Sequence, residues 1–389
     1  MSLRVALVLS AIATLTARAA APEPTPPARE YHAYVASEAA DAISVIRFGP
    51  KGLTVDRTLP TGLMPNDIDG PHGVAVSPDG RTYFVSLAHG QPAGAVWKYA
   101  VANDAVLGQV TLGMFPATMQ VTPDGEFLYV VNFNLHGDRV PSSVSVVAVD
   151  RLLEVARIPT CLMPHGSRIN PQGTRHYSAC MMDDTLVEID TSTLKVSRHF
   201  TLTPGGETGH QGAPASGSLG RHEVPNVGHA AGHGSDPPAP GTNTCAPTWA
   251  QPSADGRRIF VACNASSEIV EIDAEAWTVL RHIPAGLGVY NLAITRDGRL
   301  LLASNRRAQS VSVIEIASGK ELVRLPTTRR VVHGIAVTDD DRYAFVTVEG
   351  VASEPGTVEV IDLAALKIVA SLDVPPQAGG IDVLPLDQH

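Results

Sequence analysis

The sequence predicts an all-β fold: a seven-bladed β-propeller of four-stranded antiparallel blades, in which the C-terminal strand closes the N-terminal blade. Three observations predict this fold. A strand–turn–strand unit recurs at spacings of about 40–50 residues, and each unit supplies four strand-like segments. In addition, the first and last units are both incomplete.

The first two segments of each unit form a hairpin pattern. Apolar segments such as GVAVSPDG and NLAITRDG end in turn residues, and β-branched or aromatic segments such as RTYFVSLA follow them. Asp and Gly suit a tight turn, while the apolar face packs inward. Such first segments begin near His72, Pro116, Gly166, Pro247, Tyr290, Gly334 and Gly379, which predicts seven blades.

The two ends of the chain complement each other. YHAYVASE, AISVIRFG and LTVDRTLP are second, third and fourth segments with no first segment before them, and GGIDVLPL is a first segment with nothing after it. The C-terminal strand is therefore predicted to complete the N-terminal blade. Such closure ties the termini together and hides the sheet edges.

Composition and the N-terminus predict an exported globular protein. The chain has 389 residues, of which 44% are hydrophobic and 17% charged, with a net charge of −10, which argues against a nucleic-acid or anionic-membrane binder. Arg4 and the short apolar run VALVLSAIATLTA predict a signal peptide over 1–21, cleaved after Ala19 or Ala21. With no lipobox cysteine and no membrane span, we expect a soluble periplasmic or secreted protein.

The remaining chain divides into three predicted parts. A proline-rich linker covers 22–30, the propeller covers 31–389, and a His-, Gly- and Pro-rich insertion interrupts it at 203–245. The insertion is too rich in Gly, Pro and Ser to bury a core, so we expect it to be flexible.

The strand sequences resemble a known family. AYVASEAADAISVI, YVVNFN with SSVSVVAVD, and PHGVAVSPDG are similar to the YVTN-type propellers, which are exported, surface-layer-like and lactonase-like repeat proteins. The resemblance covers nearly the whole mature chain and implies the propeller fold. The family includes lactonase relatives, relatives of nitrite-reductase haem domains and binding proteins, so the resemblance does not select one function. Pro-His-Gly recurs in the family, which accounts for part of the histidine pattern.

Histidines recur at one phase of the repeat. His72, His165 and His333 stand at the start of three innermost strands, while His89 and His136 follow second strands. In propellers of this type both positions open on the same face, so we expect all five at the mouth of the central channel. Imidazoles suit copper or zinc, and these five are the predicted metal ligands. The alternative is that each is an ordinary residue of the repeat.

Further residues are candidates for auxiliary roles at the same mouth. These residues either face the channel or bind the ligand, or alternatively they cap turns and pack. They are Met181, Met182, Asp183, Asp184, Trp249 and Tyr290. The insertion adds histidines that either collect metal ions or have no such role. They are His210, His222, His229 and His233.

The four cysteines fall in matching frames. Cys161 and Cys180 bracket one hairpin, and Cys245 and Cys263 bracket the next. In an exported chain this pattern predicts the disulfides Cys161–Cys180 and Cys245–Cys263. Pairing across blades and a thiolate metal site are the alternatives. No CxxCH motif occurs, which argues against covalent haem.

Three functional hypotheses remain. The chain contains no GxSxG, HExxH, P-loop or dinucleotide fingerprint in a supporting context. The favoured hypothesis is an exported propeller that binds a ligand at its channel mouth, with a transition metal, copper before zinc, as that ligand. The others are a lactonase-like hydrolase or lyase with a divalent cation, and a non-catalytic scaffold for a protein or glycan. Whether the chain is an enzyme stays open. We further expect the protein to be a monomer and to have an envelope protein or a redox protein as its partner.

Overall fold

The computed structural model describes residues 26–62, 69–89, 93–214 and 244–386. The predicted signal peptide lies outside the described residues. So do three histidines of the insertion, His222, His229 and His233.

The described chain forms seven separate antiparallel sheets arranged as the predicted blades. Their strands in chain order are β1 (Tyr31–Ser37), β2 (Ala42–Gly49), β3 (Gly52–Pro60), β4 (Pro71–Val76), β5 (Thr82–Leu87), β6 (Ala95–Ala100), β7 (Val106–Thr111), β8 (Pro116–Val121), β9 (Phe127–Asn132), β10 (Ser143–Ala148), β11 (Leu153–Pro159), β12 (Pro164–Ile169), β13 (Arg175–Cys180), β14 (Thr185–Asp190), β15 (Lys195–Thr201), β16 (Thr208–Gln211), β17 (Pro247–Pro252), β18 (Arg258–Cys263), β19 (Glu268–Asp273), β20 (Thr278–Pro284), β21 (Val289–Ile294), β22 (Leu300–Asn305), β23 (Ser310–Glu315), β24 (Lys320–Pro326), β25 (Val332–Val337), β26 (Tyr343–Val348), β27 (Gly356–Asp362), β28 (Lys367–Val374) and β29 (Ala378–Val383). A single turn of 3₁₀ helix, Glu38–Ala40, follows β1.

The ring closes as the sequence predicts. The first blade has the strand order β29-β1-β2-β3, so the C-terminal strand is its innermost member. Val383 pairs with Ala33, and Ile381 with Val35, in antiparallel register. Because β29 pairs with the inner edge of β1, that edge is not left open.

One blade departs from the four-stranded prediction. The fourth blade carries a fifth, outermost strand, β16 (Thr208–Gln211), which pairs with β15. The described start of the insertion is therefore partly an ordered edge strand and not only an irregular loop.

The core lies between blades rather than within any one of them. The two middle strands of each blade are buried on both faces because a neighbouring blade packs on each side, as β9 and β22 illustrate. Aromatic rings join the first and second blades, where the Tyr34 and Tyr83 centroids lie 4.2 Å apart. Sandwiched strands explain the β-branched and aromatic runs of the sequence.

The innermost strands share a bulge near their second residue. The pairing of innermost and second strands shifts register at this place in every blade, for example between Pro71 and Val74. A bulge re-aims side chains locally, which turns this stretch of each strand toward the channel. The glycine of Pro-His-Gly is needed here, because a Cβ on Gly73 would lie 2.0 Å from the Ala117 carbonyl oxygen.

Both predicted disulfides are present. Cys161 and Cys180 are joined with their Cα atoms 5.9 Å apart, and Cys245 and Cys263 with theirs 4.5 Å apart. The two alternatives, pairing across blades and a thiolate metal site, are therefore wrong. No described helix has the length and apolar character needed to cross a membrane.

Candidate functional site

Seven equivalent residues form a ring at one end of the channel. Each is the second residue of an innermost strand, and in chain order they are His72, Ala117, His165, Thr248, Tyr290, His333 and Gly379. Small residues separate the histidines. Ala117 stands between His72 and His165, and Gly379 stands between His333 and His72. This alternation gives the imidazoles room to converge on the axis.

Three of these histidines meet in space. One ring nitrogen from each of His72, His165 and His333 lies within 4.8 Å of the others. The centroid of the His72 ring is 6.3 Å from that of His165 and 5.7 Å from that of His333. Nitrogens that share one zinc ion at about 2.0–2.1 Å lie about 3.4 Å apart, so binding of a shared ion requires the imidazoles to rotate toward a common point.

A buried carboxylate orients His72. Its Nδ1–H donates to Glu38 Oε2 at 2.7 Å, while the Nε2–H of His89 donates to Glu38 Oε1, also at 2.7 Å. This leaves His72 Nε2, a buried atom without a described hydrogen-bond partner, as the nitrogen available to a ligand. A carboxylate behind a metal-binding imidazole is a common arrangement in metal sites.

The charge of Glu38 is stabilised in place. Burial raises the pKa of Glu38, but the hydrogen bonds from His72 and His89 outweigh burial and hold it below its ordinary value. Glu38 is therefore an anion behind the histidine cluster at neutral pH.

Both ring nitrogens of His165 form hydrogen bonds, and burial keeps the ring neutral. Its Nδ1–H donates to the Thr248 carbonyl at 3.0 Å, and its Nε2 accepts from the Tyr290 hydroxyl at 3.0 Å. Burial lowers the pKa of His165 to about 3. At neutral pH its imidazole is in the neutral form that binds metals, and its Nε2 becomes available to an ion once the Tyr290 hydroxyl turns away.

His333 lies against a buried ion pair. Its Nε2 is 3.8 Å from Glu349 Oε1, and Arg306 Nη1 is 2.9 Å from the same oxygen. The Arg306 guanidinium also lies 4.8 Å above the Tyr290 ring. Burial, with Arg306 nearby, lowers the pKa of His333 well below its ordinary value, and its buried Nδ1 has no described partner.

The other two predicted ligands stand at the mouth, outside the three-nitrogen group. His89 contacts Glu38, as described, and its ring lies 5.5 Å from that of His136, which is exposed. Both rings flank Phe115, with centroid distances of 5.3 and 5.5 Å. The prediction that ends of second strands share a face with starts of innermost strands is thus confirmed.

The auxiliary candidates divide between packing and capping. Met181 is buried with Phe115 and Phe133, and Met182 Sδ is 4.0 Å from Arg139 Nη2. Trp249 is buried one residue beyond the ring of seven, on β17. Tyr290 contacts one of the three clustered histidines, His165, through a side-chain hydrogen bond.

The two aspartates bind backbone amides. Asp183 accepts from the Leu162 N–H at 2.6 Å, and Asp184 accepts from the N–H groups of Cys245 and Ala246 at 3.2 and 2.7 Å. Burial raises the pKa of Asp183. Both side chains fix the segments that lead into innermost strands, which is the capping alternative of the sequence analysis.

His210 lies far from the channel in the sheet order. It is on the outermost strand of the fourth blade, where its ring stacks on His199 with centroids 4.7 Å apart. His210 therefore lies at the outer edge of its blade, and its role as a metal collector stays a prediction.

Glu38 was missed by reasoning from the sequence, and the repeat register contains the signal that finds it. Glu38, Arg306 and Glu349 each directly follow a second strand, namely β1, β22 and β26. In a propeller this position borders the ring of seven.

Fold and site together define a seven-bladed propeller with a three-histidine cluster at its channel mouth. No protein-family model and no curated protein sequence matches the chain, so the YVTN-type resemblance stays a prediction. Solved structures do match the chain.

Three of these structures illustrate the range. The periplasmic gluconolactonase PpgL of Pseudomonas aeruginosa has a TM-score of 0.66 at 17% identity, covering 92% of this chain and 100% of its own. A hydrazine synthase chain of Kuenenia stuttgartiensis has a TM-score of 0.61 at 21% identity, and the match covers 83% of this chain and 94% of that one. The dihydro-heme d1 dehydrogenase NirN, in complex with DHE, has a TM-score of 0.57 at 17% identity, and the match covers 92% of this chain and 77% of that one. At such identities the likeness shows the fold alone.

Proposed function

We propose that this chain is an exported propeller that binds one transition-metal ion, with copper favoured, through His72, His165 and His333. The observation that carries the proposal is the convergence of three ring nitrogens within 4.8 Å at the channel mouth. These nitrogens come from three different blades, and the propeller brings them together because each histidine occupies the same position of an innermost strand.

The unpartnered ring nitrogens and the nearby carboxylate support a metal ion in the cluster. Burial lowers the pKa of both His165 and His333, so these two imidazoles are neutral nitrogen donors at neutral pH. His72 Nε2 and His333 Nδ1 are buried without a described partner, which costs free energy unless a ligand is bound. The anionic Glu38 behind His72 adds attraction for a cation.

The donor set selects the class of metal. Imidazole suits copper and zinc, whereas Ca²⁺ and Mg²⁺ prefer oxygen ligands. Copper(II) binds a given nitrogen site more tightly than zinc does, which is why we favour it. The periplasm or cell exterior is the proposed location, and the two disulfides are compatible with export.

The test is metal analysis of protein purified without a histidine tag, then reconstituted with Cu²⁺ or Zn²⁺ and desalted. We expect one ion per chain in the wild type, and loss of that ion in His72→Ala and in His333→Ala. Circular dichroism checks that each variant folds.

Two control variants separate the channel site from the rest of the chain. His210→Ala, and the combined change of His222, His229 and His233 to Ser, should retain the ion. A wild type that takes up no ion, or histidine variants at the channel that still bind it, would refute the proposal.

A further inference from the structure

A small cavity lies in the channel beside the three-histidine cluster. It has a volume of about 30 Å³, and His72, His333, Trp249, Asn291 and Arg168 are among the residues that line it. A water molecule needs about 10–15 Å³ on this measure, so the cavity admits a ligand of two or three heavy atoms.

The residues around this cavity carry unused hydrogen-bonding atoms. Trp249 Nε1 and Asn291 Oδ1 are buried and have no described partner, in side chains that are each 3% exposed. Two more such atoms, His72 Nε2 and His333 Nδ1, belong to the histidine cluster. Unpartnered buried polar atoms are rare in native proteins, and the two that remain once the histidines bind a metal ion, on Trp249 and Asn291, require a partner inside the cavity, either water or a bound ligand.

A positive charge lies further along the channel. Arg168 is three residues beyond His165 on β12, and its guanidinium lies 4.5 Å above the Trp249 ring. Its Nη1 donates to the Ser167 carbonyl at 2.8 Å, and it forms no salt bridge with any carboxylate in the described ranges. The oxygens of the nearby Asp382 accept from the backbone N–H groups of Val76 and Val383.

We propose that the cavity binds a small anion of two or three heavy atoms, held between the metal ion of the proposed function and the Trp249 and Arg168 side chains. The inference rests on that proposed function. A metal cation, an indole N–H donor and a guanidinium surround the space. The carboxylates beside the cluster are already engaged, Glu38 by His72 and His89 and Glu349 by Arg306, so a negative charge is favoured over a neutral ligand. Asn291 contributes either its oxygen or its amide nitrogen, according to the ligand.

The test is a titration of the copper(II)-loaded protein with azide, followed by the azide-to-copper charge-transfer absorption. Copper content is measured first, so that failure to load, which counts against the metal site, is distinguished from failure to bind the anion. We expect saturable binding by the wild type. Trp249→Phe, which removes the N–H donor together with the five-membered ring of the indole, and Arg168→Met should each weaken azide binding at least tenfold with one copper ion retained.

Arg139→Gln is the matched control, because Arg139 is an exposed arginine on the histidine-bearing side of the ring. It should leave azide affinity unchanged. A fully loaded wild type that binds no azide would overturn the proposal. So would equal azide affinity in Trp249→Phe, Arg168→Met and the wild type, or weakening by Arg139→Gln alone, since the anion would then bind from the open side.

Discussion

Single residues decide the chemistry of the channel mouth. The ring of seven holds three imidazoles and one phenol, and the small side chains of Ala117, Thr248 and Gly379 keep them from crowding. Glu38 then selects which nitrogen of His72 is free, because Nδ1 is used in the hydrogen bond to the carboxylate. The site therefore depends on a residue that binds no metal itself.

Removing the charge of Glu38 should weaken the metal site. Glu38→Gln still offers an oxygen to His72, but it loses the anion and the second acceptor used by His89. Changes of this kind typically cost about 10–100-fold in metal affinity. Competition with a chelator measures the effect, and Glu354→Gln, on an exposed loop, serves as control. Unchanged affinity in Glu38→Gln would show that the carboxylate has no such role.

His176 should make the protein less stable in acid. It is buried against Tyr129, neither ring nitrogen has a described partner, and burial lowers its pKa to about 3. Between this value and the unfolded value near 6.5, the unfolded chain binds the proton and the folded chain does not. Stability is therefore lost as the pH falls through this window, by about 2 kcal/mol between pH 7 and pH 5.

Urea unfolding of the wild type and His176→Phe tests this, because the difference between the two isolates the single group. The wild type should lose about 2 kcal/mol relative to the variant over that range. A difference that does not change with pH would contradict the buried, neutral state of His176.

At the scale of elements, the hairpin explains which predictions succeeded. The two strands around Gly173 are adjacent in sequence, so their register follows from a short turn, and Cys161 and Cys180 must then lie close together. The same reasoning places Cys245 against Cys263. Seven blades were predictable for the same reason, since each blade is a local meander.

Loss of the first disulfide should cost stability in proportion to the loop that it closes. The bond between Cys161 and Cys180 spans 19 residues. Chain entropy predicts a loss of about 3 kcal/mol for the double change to Ser. Urea unfolding measures it, with the corresponding Cys245→Ser and Cys263→Ser protein as a matched comparison of nearly equal span. A loss below about 1 kcal/mol would contradict the account.

At the scale of the whole molecule, the site depends on how the blades are arranged around the axis. Glu38 belongs to the first blade and His72 to the second, and Thr248 and Tyr290 reach His165 from two others. These contacts depend on the angles between blades, which no local pattern encodes. The sequence therefore predicted that histidines gather at one mouth, but not which of them meet or which carboxylate supports them.

Ring closure by the last strand should be essential. Removing residues 378–389 exposes the inner edge of β1 and takes Ile381 and Val383 from the core they share with the first blade. We expect loss of the cooperative unfolding transition and of the monomeric peak in size-exclusion chromatography. Removal of residues 387–389 alone should change neither. A truncated chain that stays monomeric and unfolds cooperatively would show that the ring does not need its tail.

The most direct test of the central claim is a crystal structure of the untagged protein soaked with Cu²⁺, with anomalous diffraction collected at the copper edge. The account predicts one strong anomalous peak on the channel axis, within bonding distance of a ring nitrogen from each of His72, His165 and His333. A map with no peak there, or with copper bound only at other histidines, would contradict it.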